Sequence, residues 1–333
     1  MKNLSNKQPM MEIDPFSVNR KHATRFLSEK LPYSIYGLAL LIVLFSFIAP
    51  NFFLFSNFLL ILLQSSILLM VSLGMTLVIL SEGIDLSLGA ILGLVGIVTT
   101  TLYQGGYGGV CSIFAGIGTA CLLGLVNGLL ISRANLPPFI VTFGTMGMAQ
   151  SLALALSKGL SLSGLPNAIR FLGQGYFAYV PIPVWIAGIS CILMYLLLSH
   201  TALGVHIYAV GASDESAVLR GIRIDQLKLF IYTIAALLCS IGGLVTIGRM
   251  NSAHPTVGIG MEFDAIAAVV IGGTSLFGGE GGVLRTVIGV LVISILSNGL
   301  NLMGISGAWQ ISITGVLILI SVIGDVFVKR FEN

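Results

Sequence analysis

Four carboxylates stand where an apolar chain tolerates them least. Glu82 and Asp85 lie in Ser81-Glu82-Gly83-Ile84-Asp85-Leu86-Ser87-Leu88-Gly89, and Glu262 and Asp264 open a later apolar run. A charge near lipid is costly, so such residues are functional candidates by default. The chemistry open to them is helix capping, proton relay or contact with a polar solute. Asp85 precedes a helical run as a capping acceptor would, and Glu82 beside it can face water. A relay needs a second embedded carboxylate paired with the first, and the spacing offers no obvious one. Arg249 falls on the same side of the membrane as Glu262 and Asp264, which favours an ion pair or capping there over solute contact.

Amides are the other polar groups in apolar surroundings: Asn127, Asn298, Asn301, Gln64, Gln150 and Gln310. Most fit interhelical hydrogen bonds; the second reading is a hydrophilic path, since amides suit the hydroxyls of a neutral solute. Phe139, Thr142 and Phe143 share one helical face after Pro137-Pro138, a face suited to helix contact or, less directly, to a sugar ring. Asp85, Phe139, Thr142, Asn127 and Asn298 are therefore the candidate pathway or gating residues. Catalytic signatures are absent: the chain has no Gly-x-x-x-x-Gly-Lys-Ser/Thr loop, no His-Glu-x-x-His and no Gly-x-Ser-x-Gly. Its four histidines are scattered among a tail and loops, so neither a metal, a cofactor nor a catalytic centre is expected. Cys111, Cys121, Cys191 and Cys239 lie in apolar runs and are expected to be buried, reduced and inert.

The elements that position these residues must be membrane helices. Of 333 residues 56% are hydrophobic and only 9% charged, with mean hydropathy +1.01. A soluble surface needs about 25% charged residues. At roughly 20 apolar residues per crossing, the chain reads as an all-α polytopic membrane protein with about ten transmembrane helices. The predicted spans are 33–49, 57–80, 87–103, 109–132, 138–157, 182–199, 226–249, 262–277, 285–303 and 309–328, the eighth short and glycine-rich enough to be broken or re-entrant. Residues 1–32 form a basic N-terminal tail and 329–333 a short C-terminal one. With both termini cytoplasmic, thirteen of the sixteen Lys and Arg residues fall inside, as the positive-inside rule requires. Gly89-x-x-x-Gly93 and Gly124-x-x-x-Gly128 have the spacing of close helix packing. The net charge of +3 gives no reason to expect a nucleic-acid partner.

A polar stretch, 206–228, interrupts this apolar pattern on the predicted cytoplasmic side. Ser213 is placed to cap a helix of about seven residues, Asp214 and Glu215 suit its first turn, Arg220 its last, and Gly221 stops it. Isolated helices below about 12–15 residues are marginal in water. Ala217 and Val218 must therefore pack on something, either the chain's own membrane domain or a groove in a partner protein.

Several stretches resemble one family, the ribose-type permease subunits of bacterial ATP-binding cassette importers. They are Gly74-Met75-Thr76-Leu77-Val78-Ile79-Leu80, Gly83-Ile84-Asp85-Leu86-Ser87, Pro138-Phe139-Ile140-Val141-Thr142, Tyr208-Ala209-Val210-Gly211, Leu219-x-Gly221-Ile222, Glu262 through Leu276, and Asn298-Gly299-Leu300-Asn301-Leu302. The resemblance covers about 33–328 and implies the permease fold of such importers in the bacterial inner membrane. It implies three partners: an ATPase subunit, an extracytoplasmic sugar-binding protein, and a second permease copy forming a homodimer or related heterodimer. It also implies that the segment 200–225 couples to the ATPase through Gly211, Asp214, Glu215, Ala217, Leu219 and Gly221. The family's Ser-Ala-Gln-Pro-Thr stretch appears as Ser252-Ala253-His254-Pro255-Thr256, which makes His254, Pro255 and Thr256 candidate contacts for the binding protein. Glu82 stands where many members have a glycine. The alternative function is a secondary transporter or channel that works alone on a small neutral solute.

Overall fold

The computed structural model describes residues 33–332; the predicted tail 1–32 lies outside the described residues. Within them the chain is almost wholly helical. In order, the elements are α1 Tyr33–Ile48, α2 Phe55–Leu80, α3 Leu88–Gln104, α4 Gly109–Ser132, α5 Pro138–Ser157, β1 Leu162–Ser163, α6 Asn167–Gln174, β2 Tyr176–Phe177, β3 Val180–Pro181, α7 Ile182–His200, α8 Ala202–Ala212, α9 Asp214–Leu219, α10 Ile224–Met250, β4 Ser252–Ala253, α11 Met261–Ile271, α12 Val283–Leu302 and α13 Gly307–Glu332. Six of these, α2, α4, α5, α7, α10 and α12, are long and apolar enough to cross a membrane by length and composition. Of the four remaining predicted spans, those at 33–49, 87–103 and 309–328 begin and end within a few residues of helices α1, α3 and α13, whereas 262–277 is helical only as far as Ile271 in α11.

Two helices organise the bundle. The 27-residue α10 packs on α2, α3, α4 and α6. The α3 helix is enclosed by α4, α5 and α10, and no residue from Leu88 to Ile97 is exposed. The α4–α10 contact is made by the predicted glycine pair: a Cβ at Gly124 would come within 2.5 Å of Tyr232 O, and one at Gly128 within 2.7 Å of Leu229 Cα. Small residues let the backbones approach where lipid offers no hydrophobic drive for pairing.

The other predicted glycine pair packs on a different kind of element. Gly89 and Gly93 of α3 face the carbonyls of Gly258 and Val257, in the non-helical segment between β4 and α11. The segment that sequence places in an outer loop thus runs down the side of α3, and α11 begins part-way along it. With 11 residues, α11 is a half-helix, as the short, glycine-rich eighth run suggested. On its inner side this irregular backbone packs against α3, while Thr256 and Ile259 within it stay exposed. Short antiparallel strands brace the other end of α3: β1 pairs with β4, and Gln104 Nε2 donates to Ser163 O at 2.7 Å.

The cysteine expectation needs correction. All four are free thiols, but only Cys239 is buried; Cys121 and Cys191 are intermediate and Cys111 is exposed. Apolar flanks in a membrane helix do not specify which face meets protein and which meets lipid.

Candidate functional site

Three of the candidate pathway residues meet at one junction. The linker between α2 and α3 folds into the bundle, and Asp85 within it is fully buried. Its Oδ1 accepts hydrogen bonds from the Ser87 backbone N–H at 2.9 Å and from the Ser87 hydroxyl. Ser87, not Asp85, is the N-cap residue of α3, so Asp85 fixes the turn before the helix instead of capping it as the sequence reading expected. Asn127 of α4 donates to Ser87 Oγ at 3.0 Å, and Thr145 of α5 donates to Asn127 Oδ1 at 2.6 Å. Thr142, one turn before Thr145, donates to Ile84 O at 3.2 Å. The linker is thereby pinned to α4 and α5, and to α10 through Cys239 Sγ, which donates to Leu88 O at 2.7 Å. Tyr232 of α10 presses its hydroxyl against Gly83. Among the described residues, that hydroxyl and Asp85 Oδ2 are buried without a hydrogen-bond partner.

Ser87, Thr145 and Tyr232 were not among the sequence candidates. Thr145 could have been found from its position on the Thr142 face; nothing in the local sequence marks Tyr232. Phe139 and Phe143 behave differently from Thr142. Their rings stack at 6.1 Å and are more than half exposed, unlike the buried Thr142 that shares their helix. Glu82 is exposed, as expected.

The geometry gives a direct test of Asp85. Asp85→Asn keeps the acceptor for Ser87, whereas Asp85→Ala leaves two donors unanswered. Loss of a buried acceptor costs about 1–3 kcal/mol. Asp85→Ala should lower the thermal midpoint in detergent clearly and Asp85→Asn much less; equal loss in both would show that charge, not the acceptor, matters.

Asn298 is not at this junction. It exchanges two hydrogen bonds with Asn57, at 2.8 and 3.0 Å, and Asn57 also donates to Phe52 O. Its amide is consumed in tying α12 to the start of α2. Asn298→Ala should destabilise the fold by about 1 kcal/mol, read as a lower melting temperature, with uptake per folded molecule unchanged. Gln310 likewise donates to Asn301 Oδ1 at 2.7 Å.

The coupling candidates form a second cluster. Helix α9 has six residues, Asp214–Leu219, and Ser213 caps it by accepting from the Ser216 N–H at 3.2 Å. Asp214 pairs with Lys228 of α10 at 2.8 Å. Ala217 is buried, but Val218, predicted to pack beside it, is exposed, and Leu219 is 89% exposed. Glu215 is also exposed. Gly221 stops the helix at φ +80°: its N–H donates to Val218 O and that of Ile222 to Ala217 O, a Schellman ending.

Sequence reasoning missed α8, which precedes α9. Thr201 caps it by accepting from the Gly204 N–H. At its end Gly211 lies against the Leu80 carbonyl and within 2.5 Å of Gly279 N, measured from where a Cβ would stand. Gly279 in turn donates to Leu80 O at 3.0 Å. The end of α2, the end of α8 and the glycine-rich loop 272–282 thus form one close joint beside α9. Tyr208 donates to Gly281 O at 3.0 Å; burial pushes its phenol up to about 12, so the donor proton stays in place at ordinary pH.

The third group, at β4, is split. His254 is bridged by the hydroxyls of Ser161 at Nδ1, 2.6 Å, and Ser252 at Nε2, 3.0 Å. Pro255 is buried and Thr256 is exposed. Glu262 and Asp264 form no ion pair with Arg249 among the described residues. Glu262 accepts from the Gly260 N–H with both oxygens, so capping is its role.

A family model described as the branched-chain amino acid transport system / permease component matches residues 57–322. The chain is 38% identical to the ribose import permease protein of Escherichia coli (strain K12) over 296 residues, covering 88% of this chain and 92% of that protein. It is 40% identical to the ribose import permease protein of Bacillus subtilis (strain 168) over 291 residues, covering 87% and 90%. It is 33% identical to the fructose import permease protein of Rhizobium meliloti over 337 residues, covering 96% and 93%. No solved structure matches it.

Proposed function

We propose, from the premise that the chain belongs to the ribose-type permease family of ATP-binding cassette importers, that it is the membrane subunit through which a monosaccharide enters the bacterial cell. Two copies, or one copy and a related permease, form the path. A separate ATPase subunit drives it and an extracytoplasmic binding protein delivers the sugar. The chain itself carries no catalytic step. The transmembrane domain is 33–328, flanked by cytoplasmic segments 1–32 and 329–333, with both termini inside.

The observation that carries this reading is α9. It is a capped six-residue helix clamped to α10 by Asp214–Lys228, yet it holds Leu219 almost fully in the open. A chain working alone gains nothing from an exposed apolar knob on a rigid mount; a subunit that must be gripped does. The joint at Gly211 supplies the next link. Movement of α9 is passed through α8 to the end of α2, and from there along five residues to the Asp85 linker.

Reconstitution tests the reading. Proteoliposomes holding the permease, the ATPase and the binding protein should accumulate a monosaccharide only with ATP. Uptake by the permease alone would replace this reading with that of a stand-alone transporter.

A further inference from the structure

Asp264 opens an apolar helix with a carboxylate that no described residue holds. Gly89 of α3 faces Glu262, and the opposite end of α3 is marked by Gln104, bonded to β1. Fifteen residues at 1.5 Å each put that level about 22 Å along α3 from Gln104, a distance that falls inside a hydrocarbon layer about 30 Å thick where Gln104 stands at its outer edge. Asp264 stands half a turn further along α11. Glu262 is turned in on the N–H of Gly260. Asp264 is only partly buried, and while its backbone N–H donates to Gly260 O, its carboxylate makes no hydrogen bond or ion pair with any described residue.

Lipid is a poor neighbour for such a group, and partly exposed charges at this depth face a bundle interior or a watery cavity. The residues beside it are open too. Phe263 beside it is 52% exposed and Ile259, in the loop that leads into α11, is 53% exposed; Thr256, earlier in that loop, is also exposed. An aromatic face next to a two-oxygen acceptor is the pairing a sugar ring calls for. The ring's C–H face lies on the phenyl group, and two neighbouring hydroxyls donate to the carboxylate.

We propose that Asp264 and Phe263 contact the monosaccharide in transit, the half-helix α11 presenting both to the path. This rests on the importer reading above and adds to it the place where the solute is held. Few contacts suit the task, since a site along a path must release what it binds.

The test uses the complete importer, purified with its ATPase so that only assembled complexes are measured. With Cys111, Cys121, Cys191 and Cys239 replaced by alanine, Asp264→Cys should react with a membrane-impermeant methanethiosulfonate. Asp264→Asn and Phe263→Ala should each lower monosaccharide uptake at least tenfold, with docking of the binding protein unchanged. The proposal is overturned if the cysteine stays unlabelled while Cys111, kept as the single cysteine of a parallel variant, is labelled, or if both variants take up sugar within twofold of wild type. Failure of the wild-type complex to move any monosaccharide with ATP would instead overturn the importer reading, so the two failures are separable.

Discussion

Leu219→Asp is expected to cut ATP-driven uptake at least a hundredfold while the membrane domain stays folded. The residue is 89% exposed, so its side chain supports little of its own chain's fold. Surface changes of this kind alter stability by about 0.5 kcal/mol or less. A hundredfold loss corresponds to about 2.7 kcal/mol, which is within the 1.5–3 kcal/mol that burying a leucine contributes before the cost of burying a carboxylate is added. The measurement is threefold: melting temperature, co-purification of the ATPase, and uptake. Gly221→Val acts on the same helix from within, because a β-branched residue at φ +80° is strained by about 1–2 kcal/mol. Removing Asp214–Leu219 should also uncouple hydrolysis from uptake without taking the protein out of the membrane. Normal uptake with the ATPase still bound in Leu219→Asp would mean that α9 is not the element that is gripped.

The sequence was informative wherever one physical scale dominated. The length of an apolar run set the helices, and the Ser213, Gly221 and Pro138 signals set their ends, because each depends only on residues within a turn. The eighth run was readable as irregular for the same reason. What it did not show was depth. Pro255, Gly258 and Gly260 read as an outer loop, and only the glycine face of α3 explains why that segment descends instead. Helix α8 was hidden because His206 and Tyr208 make its stretch look polar, although neither opposes helix. At the candidate site each of Asp85, Asn127 and Thr142 could be chosen singly. Their meeting depends on contacts 40 and 58 residues apart in sequence, which no local pattern encodes. Asn298 shows the converse: chosen for the same chemistry, it is satisfied by Asn57, 241 residues away.

The joint at Gly211 should be the least forgiving position in the chain. A Cβ there would overlap the Leu80 carbonyl and approach Gly279 N to 2.5 Å, and these two groups are already hydrogen-bonded to each other at 3.0 Å. All the atoms are backbone, so no side chain can swing aside; α8 must separate from α2 or the glycine-rich loop must open. Overpacking of this kind costs about 1–3 kcal/mol or more, and here it falls on the link between α9 and the Asp85 linker. Gly211→Ala is therefore expected to lose uptake more than a hundredfold and to lower the melting temperature together. Gly188→Ala on α7, where a Cβ meets nothing within 4 Å, is the matched control and should be neutral or slightly stabilising. If Gly211→Ala kept its melting temperature but lost uptake, the joint would be a transmission element alone. If it kept both, α2 and α8 would not meet there, and the mechanical route from α9 to Asp85 would have to run through Lys228 and α10.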